Sequence, residues 1–183
     1  MVLAYVPAYI PLLLYFLSEF MRRSPVQEEK RNRGSTALIG VALALMVTIP
    51  EAIYLFVPVW RLPHDATILG IVVGLVGVGV RFSAVTTLGR FYSRNVGIQE
   101  QHEVIQTGWY RWIRHPGYLG TLLTFLGYAI AARSWLSVIT NIMLFFIAYA
   151  YRIHIEETTL VGQFGDVYRR YQKHTWRLIP FIY

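Results

Sequence analysis

Two short stretches gather side chains able to bind a charged ligand. One reads RWIRHPGY at 111–118 and holds Arg114, His115 and Tyr118. The other opens with RIHIEE at 152–157 and runs on to Tyr168 and Tyr171. On a helix, Arg152 and Glu156 lie four residues apart and share a face. Two readings of that face stand. One is a surface ion pair worth under about 1 kcal/mol. The other is a polar cluster at a membrane surface that binds a charged, water-soluble cofactor. His102, His115 and His154 raise the question of a metal, but there is no HExxH motif, no cysteine and no close histidine pair on one helical face, so no metal site is expected. His64 reads as a solvated loop residue. The serine-hydrolase elbow is absent, and the one loose glycine match to a dinucleotide fingerprint lies inside an apolar run without a strand–turn–helix context.

The elements that must position these residues are membrane spans. The 183 residues are 55% hydrophobic and 15% charged. A soluble domain is about 45–50% apolar and about 25% charged, so this composition excludes a soluble globule and a disordered chain. Apolar runs predict an all-α integral membrane protein of about five helices, at 2–20, 35–59, 66–85, 117–132 and 134–152. The first run does not read as a signal peptide, because no basic residue precedes it. The fourth and fifth are parted only by Arg133-Ser134 and read as a tight hairpin. The expected organisation is one membrane domain, 1–183, with three N-terminal spans in 1–85 and a functional core in 86–183.

Charge sets the expected orientation. The net charge is +7, and no separate basic domain points to nucleic acid. Fourteen of the 17 Lys and Arg residues fall in segments 22–33, 86–116 and 152–183. The positive-inside rule then puts the N-terminus outside and the C-terminus, with both polar stretches, in the cytoplasm. Arg81 lies near the inner end of the third span, from where it is expected to snorkel. Gly70, Gly74, Gly77 and Gly79 predict close helix packing. Glu51, after Pro50, is either a functional carboxylate at depth or a residue of the outer interface. Short β-like runs are expected at Asn95–Gln99 and Glu103–Gln106. The fifth helix is expected to end near Gln163, with Gly165 stopping it, Asp166 capping a short following helix and Pro180 ending the helical region.

The blocks RHPGYLG at 114–120, EE at 156–157, FGDVYRRY at 164–171 and RLIP at 177–180 resemble the isoprenylcysteine carboxyl methyltransferases. Related phospholipid methyltransferases share part of the pattern. The resemblance covers the C-terminal half, from about Leu88, and implies methyl transfer from S-adenosylmethionine to a lipophilic acceptor entering from the bilayer. It implies a cytoplasmic cofactor pocket made by the segment before the fourth helix and the C-terminal tail. By that resemblance the cofactor contacts are Gln99, His102, Glu103, Val104, Ile105, Tyr110, His115, Pro116, Gly117, Tyr118, Glu156, Glu157, Tyr168 and Tyr171. Arg152 matches an arginine assigned to substrate, and Arg114 is a second candidate for that catalytic role. Two departures stand out: the glutamate run is shorter here, and the eukaryotic enzymes carry additional N-terminal spans.

A carboxylate acceptor is already ionised near pH 7 and needs no strong base. A phospholipid amine or small thiol would have to lose a proton, and Glu157 or His154 would be the base to test. Two other classes compete. Membrane sterol reductases using NADPH have similar tails, here ending IPFIY. A non-catalytic scaffold or transporter subunit would explain the spans but not the clustered polar blocks. Membrane lipids are expected partners, and the oligomeric state is not readable from the chain.

Overall fold

The computed structural model describes residues 6–21, 33–57, 61–89, 92 and 104–183. Among the described residues six α-helices follow in order: α1 (Tyr9–Met21), α2 (Arg33–Phe56), α3 (Ala66–Leu88), α4 (Pro116–Ala131), α5 (Trp135–Phe164) and α6 (Asp166–His174). A 3-10 turn, Val6–Ala8, leads into α1, and another, Gly108–Arg111, precedes α4. Among the described residues the only β pairing is two isolated bridges. Among the described residues three helices are long and apolar enough to cross a membrane, at Gly34–Phe56, Ala66–Leu88 and Trp135–Phe164. The other two predicted spans are shorter apolar helices, Val6–Met21 and Pro116–Ala131. The described residues are therefore all-α, as the apolar runs predict.

Helices α3 and α4 lie antiparallel along a seam of small residues. A Cβ added at Gly77 would run into the backbone of Thr124 and Gly120, and one at Gly127 into the backbone of Gly74 and Gly70. Gly74 instead makes room for Pro11 of α1, whose Cβ would lie 2.9 Å away. Glycine is required here because backbone meets backbone, and in lipid such close approach supplies the packing that water would otherwise drive. Gly79 faces open space and takes no part.

Pro50 sits inside α2 and has no N–H to give the carbonyl of Met46, four residues earlier. Asn141 of α5 replaces it. Its amide donates to Met46 O at 3.1 Å and to Phe125 O of α4 at 2.9 Å, so one fully buried side chain ties three helices. Within hydrocarbon such an orphaned carbonyl must find an internal donor. Glu51, next to Pro50, receives hydrogen bonds from the hydroxyls of Tyr9 and Tyr128. Its carboxylate thus joins α1, α2 and α4.

The α4–α5 hairpin closes through Ala132-Arg133-Ser134, with Arg133 at φ 59°. Its turn is held against the α2–α3 connection by a bridge between Arg61 and Ser134 and by Leu62 N–H donating to Arg133 O at 2.8 Å. At the other end, α5 stops at Phe164 where Gly165 adopts φ 52°. That agrees with the expectation for Gly165. Asp166 differs: Gly165 takes the cap position and Asp166 becomes the first residue of α6, paired with Arg169 at 3.0 Å. The helical region ends at His174, before Pro180.

Two further expectations change. Val104–Gln106 form no strand; Asn95–Gln99 and Glu103 lie outside the described residues. Arg81 does not snorkel. It is 8% exposed, and its Nε reaches Glu19 of α1 at 2.9 Å. A guanidinium leaves the water-facing route when a carboxylate on a neighbouring helix is near enough to compensate its desolvation.

Candidate functional site

Proline opens α4 at a position where no N–H is needed. The residue before a proline is kept out of helical geometry, and His115 has φ −122° and ψ 56°. The segment therefore enters α4 extended, and the C-terminal tail pairs with it. Arg114 N–H donates to Trp176 O at 2.8 Å, His115 N–H to Arg177 O at 3.1 Å, and Trp176 N–H to Trp112 O at 2.9 Å. Leu178, fully buried, anchors the tail beneath. The segment before α4 and the tail thus form one unit.

The end of α5 adds the acidic pair. Adjacent helical residues point about 100° apart, so Glu156 and Glu157 separate. Glu157 turns inward. It accepts from Arg114 Nε at 2.7 Å and from Arg177 Nε at 3.0 Å, and its Oε1 lies 3.3 Å from His115 Nε2. Nη1 of Arg114 donates to the tail carbonyls of Gln172, at 3.0 Å, and Thr175. Glu156 stays half-buried and accepts from the Tyr118 hydroxyl at 2.6 Å. The His115 ring stands between the two carboxylates, with Nδ1 4.0 Å from Glu156, and it stacks on Tyr118 at 5.4 Å between centroids.

Arg152, one turn before Glu156, is 3% exposed. Its Nη1 donates to Ser35 Oγ at 2.7 Å and Nε to the Tyr118 hydroxyl at 3.3 Å. Tyr118 thereby connects Arg152 with Glu156. Three more tyrosines close the cluster. Tyr171 donates to Tyr110 O at 2.6 Å, which fastens α6 to the Gly108–Arg111 turn, and Tyr168 packs beside Tyr171 at 5.7 Å between rings. Burial pushes the phenols of Tyr110, Tyr168 and Tyr171 up, and the Glu156 charge adds to this at Tyr110 and Tyr168. All three remain protonated at neutral pH.

The structure therefore brings together Tyr110, Arg114, His115, Pro116, Gly117, Tyr118, Arg152, Glu156, Glu157, Tyr168 and Tyr171. Val104 and Ile105 are half-buried in the irregular segment ahead of the 3-10 turn. Gln99, His102 and Glu103 lie outside the described residues. His154 is exposed on α5, away from the inward face. Sequence reasoning missed Ser35, whose only signal was a hydroxyl at the start of an apolar helix. It also gave Arg177 no role, although the residue stands in the quoted RLIP block.

This donor set suits a zwitterionic nucleoside cofactor. Glu156 accepts from hydroxyl or ammonium groups, His115 has a ring nitrogen facing it, and Tyr110, Tyr118 and Tyr168 offer aromatic faces for a flat base or a cation. No group of three His, Asp or Glu side chains able to hold a metal forms among the described residues.

Residues 68–162 match the isoprenylcysteine carboxyl methyltransferase family. A probable protein-S-isoprenylcysteine O-methyltransferase of rice (Oryza sativa subsp. japonica) is 29% identical over 162 residues, covering 84% of each chain. The protein-S-isoprenylcysteine O-methyltransferase of Saccharomyces cerevisiae is 31% identical over 158 residues, covering 82% of this chain and 66% of its own. Among solved structures, that of the eukaryotic intramembrane Ras methyltransferase ICMT superimposes with a TM-score of 0.62 at 22% identity. The superposition covers 96% of this chain and 62% of that one, and it speaks for the fold.

Proposed function

Since the chain belongs to the isoprenylcysteine carboxyl methyltransferase family, we propose that it transfers a methyl group from S-adenosylmethionine to the carboxylate of an isoprenylated cysteine or a similar lipophilic acid. The observation that carries this reading is the environment of Glu156: a half-buried carboxylate among Tyr110, Tyr118, Tyr168 and His115, one helical turn from a buried arginine. Glu156, His115 and the tyrosines would hold the methyl donor. When bound, that donor supplies an electrophilic methyl group on a positively charged sulfur.

The protein's part is positional. Arg152 carries a planar guanidinium of the kind that binds carboxylates. Ser35 and Tyr118 fix where that guanidinium points. The acceptor is ionised at neutral pH, so no side chain has to remove a proton. Arg152 would hold one carboxylate oxygen toward the donor kept by Glu156, His115 and the tyrosines, where that oxygen would take the methyl group and leave a neutral thioether to depart. Holding oxygen, carbon and sulfur in line is where the rate gain arises. Arg114, with its guanidinium committed to Glu157 and the tail, acts by holding the tail in place.

The cluster lies at the cytoplasmic end of the bundle, with the N-terminus outside, on the strength of the Lys and Arg distribution. The chain has no cysteine, so single cysteines at Asp65 and Gln172 test this directly. A membrane-impermeant maleimide should label the Asp65 position from outside and spare Gln172; the reverse pattern sinks the orientation.

Calorimetric titration with S-adenosylhomocysteine, beside NADPH, tests the cofactor. Wild-type protein should bind the homocysteine compound, and Glu156→Ala should weaken that binding about tenfold or more, as expected for one charge-assisted hydrogen bond. Uptake of NADPH alone would move the protein to reductase chemistry.

A further inference from the structure

We infer that Arg81, Glu19 and Tyr92 form a positioning unit for the methyl-donor site, an inference that rests on the reading above. Arg81 emerges from α3 and is almost entirely buried. Its Nη1 donates to Gly117 O at 3.0 Å and to Thr121 Oγ1 at 2.9 Å, both in the opening turns of α4. Its Nε meets Glu19 Oε1 at 2.9 Å, and its Nη2 lies 3.3 Å from the Tyr92 hydroxyl. Tyr92 in turn donates to the second Glu19 oxygen at 3.1 Å. The Tyr15 ring lies under the guanidinium, 5.0 Å from Cζ to centroid.

A charge buried at this depth is costly unless fully paired. Simple helix fastening does not call for one, since α3 and α4 already meet through glycines. What distinguishes this unit is where its contacts lead. Gly117 belongs to the turn that carries His115 and Tyr118. Tyr92 stands on the connection that runs from α3 toward Val104 and Ile105. One guanidinium therefore touches the turn that carries His115 and Tyr118 and also Tyr92, on the connection leading to Val104 and Ile105, and Glu19 brings in α1. Burial pushes the Tyr92 phenol up to about 12, so it remains a donor to Glu19 at every physiological pH.

Tyr92→Phe removes one hydroxyl and leaves the ring and the Arg81–Glu19 pair. Binding of S-adenosylhomocysteine should weaken about five- to tenfold, the size of one hydrogen bond. The KM for the methyl donor should rise alike, with the acceptor KM unchanged and the thermal midpoint near that of the wild type. Glu19→Gln should act in the same direction. Arg81→Lys, which cannot span four acceptors, should lie between wild type and Arg81→Gln. A wild type that binds the homocysteine compound, beside a Tyr92→Phe variant that binds equally well, would overturn the positioning role alone. A wild type that binds none would overturn the methyl-donor reading and this inference with it.

Discussion

Glu157→Ala is expected to destabilise the protein by about 3–5 kcal/mol, the usual result of removing one partner from a buried ionic network. The carboxylate is 6% exposed and lies between Arg114, with 8% of its side chain exposed, and His115, with 3%. Without it, two buried cationic or polar groups face each other with no carboxylate between them. Arg177, 40% exposed, loses little, because solvent screens it. The loss is a large share of the roughly 5–15 kcal/mol by which proteins are stable. It should fall first on the tail, since Arg114 is also what grips the carbonyls of Gln172 and Thr175. Unfolding in detergent, followed with limited proteolysis of the tail, measures it. Glu157→Gln keeps the shape and half the acceptors and should fall between. A wild-type midpoint for the alanine variant would show that the network contributes nothing to stability.

Arg152→Ala should lower kcat/KM for the lipid acceptor about a hundredfold, the scale of a lost alignment at a reacting centre. Binding of S-adenosylhomocysteine should change little. Arg152→Lys should recover only part of the activity, since an ammonium cannot grip both carboxylate oxygens in one plane. The contrast with Glu156→Ala is the informative part: one variant should lose the acceptor and the other the cofactor. Loss of homocysteine-compound binding in Arg152→Ala, with the acceptor KM unaltered, would transfer this arginine to the methyl donor.

Much of this architecture is legible in the chain because its signals are local. Long apolar runs, Pro116 at a helix start and Gly165 at a helix end each act within a few residues. The acidic pair was readable only as a pair. Helical geometry separates Glu156 from Glu157, but which one turns inward depends on Arg114 and Arg177, on other segments. Gly70, Gly74 and Gly77 follow helical spacing along one face, and Gly79, two residues on, necessarily points elsewhere. Arg81 was misjudged because Glu19, its partner, is 62 residues away and nothing near Arg81 announces it. The pairing of Trp112–His115 with Trp176–Arg177 is too short to leave an alternating pattern.

The tie between Pro50 and Asn141 has a consequence for how such a chain can change over generations. Proline at 50 creates a vacancy on the Met46 carbonyl, and asparagine at 141 fills it. The two substitutions are therefore ordered in time. A lineage can replace Pro50 first, because any other residue brings back the missing N–H while Asn141 keeps its bond to Phe125 O. The opposite order passes through an intermediate with a bare carbonyl inside the bundle. Two positions 91 residues apart thus form a one-way gate in sequence space, open from the proline side and closed from the asparagine side.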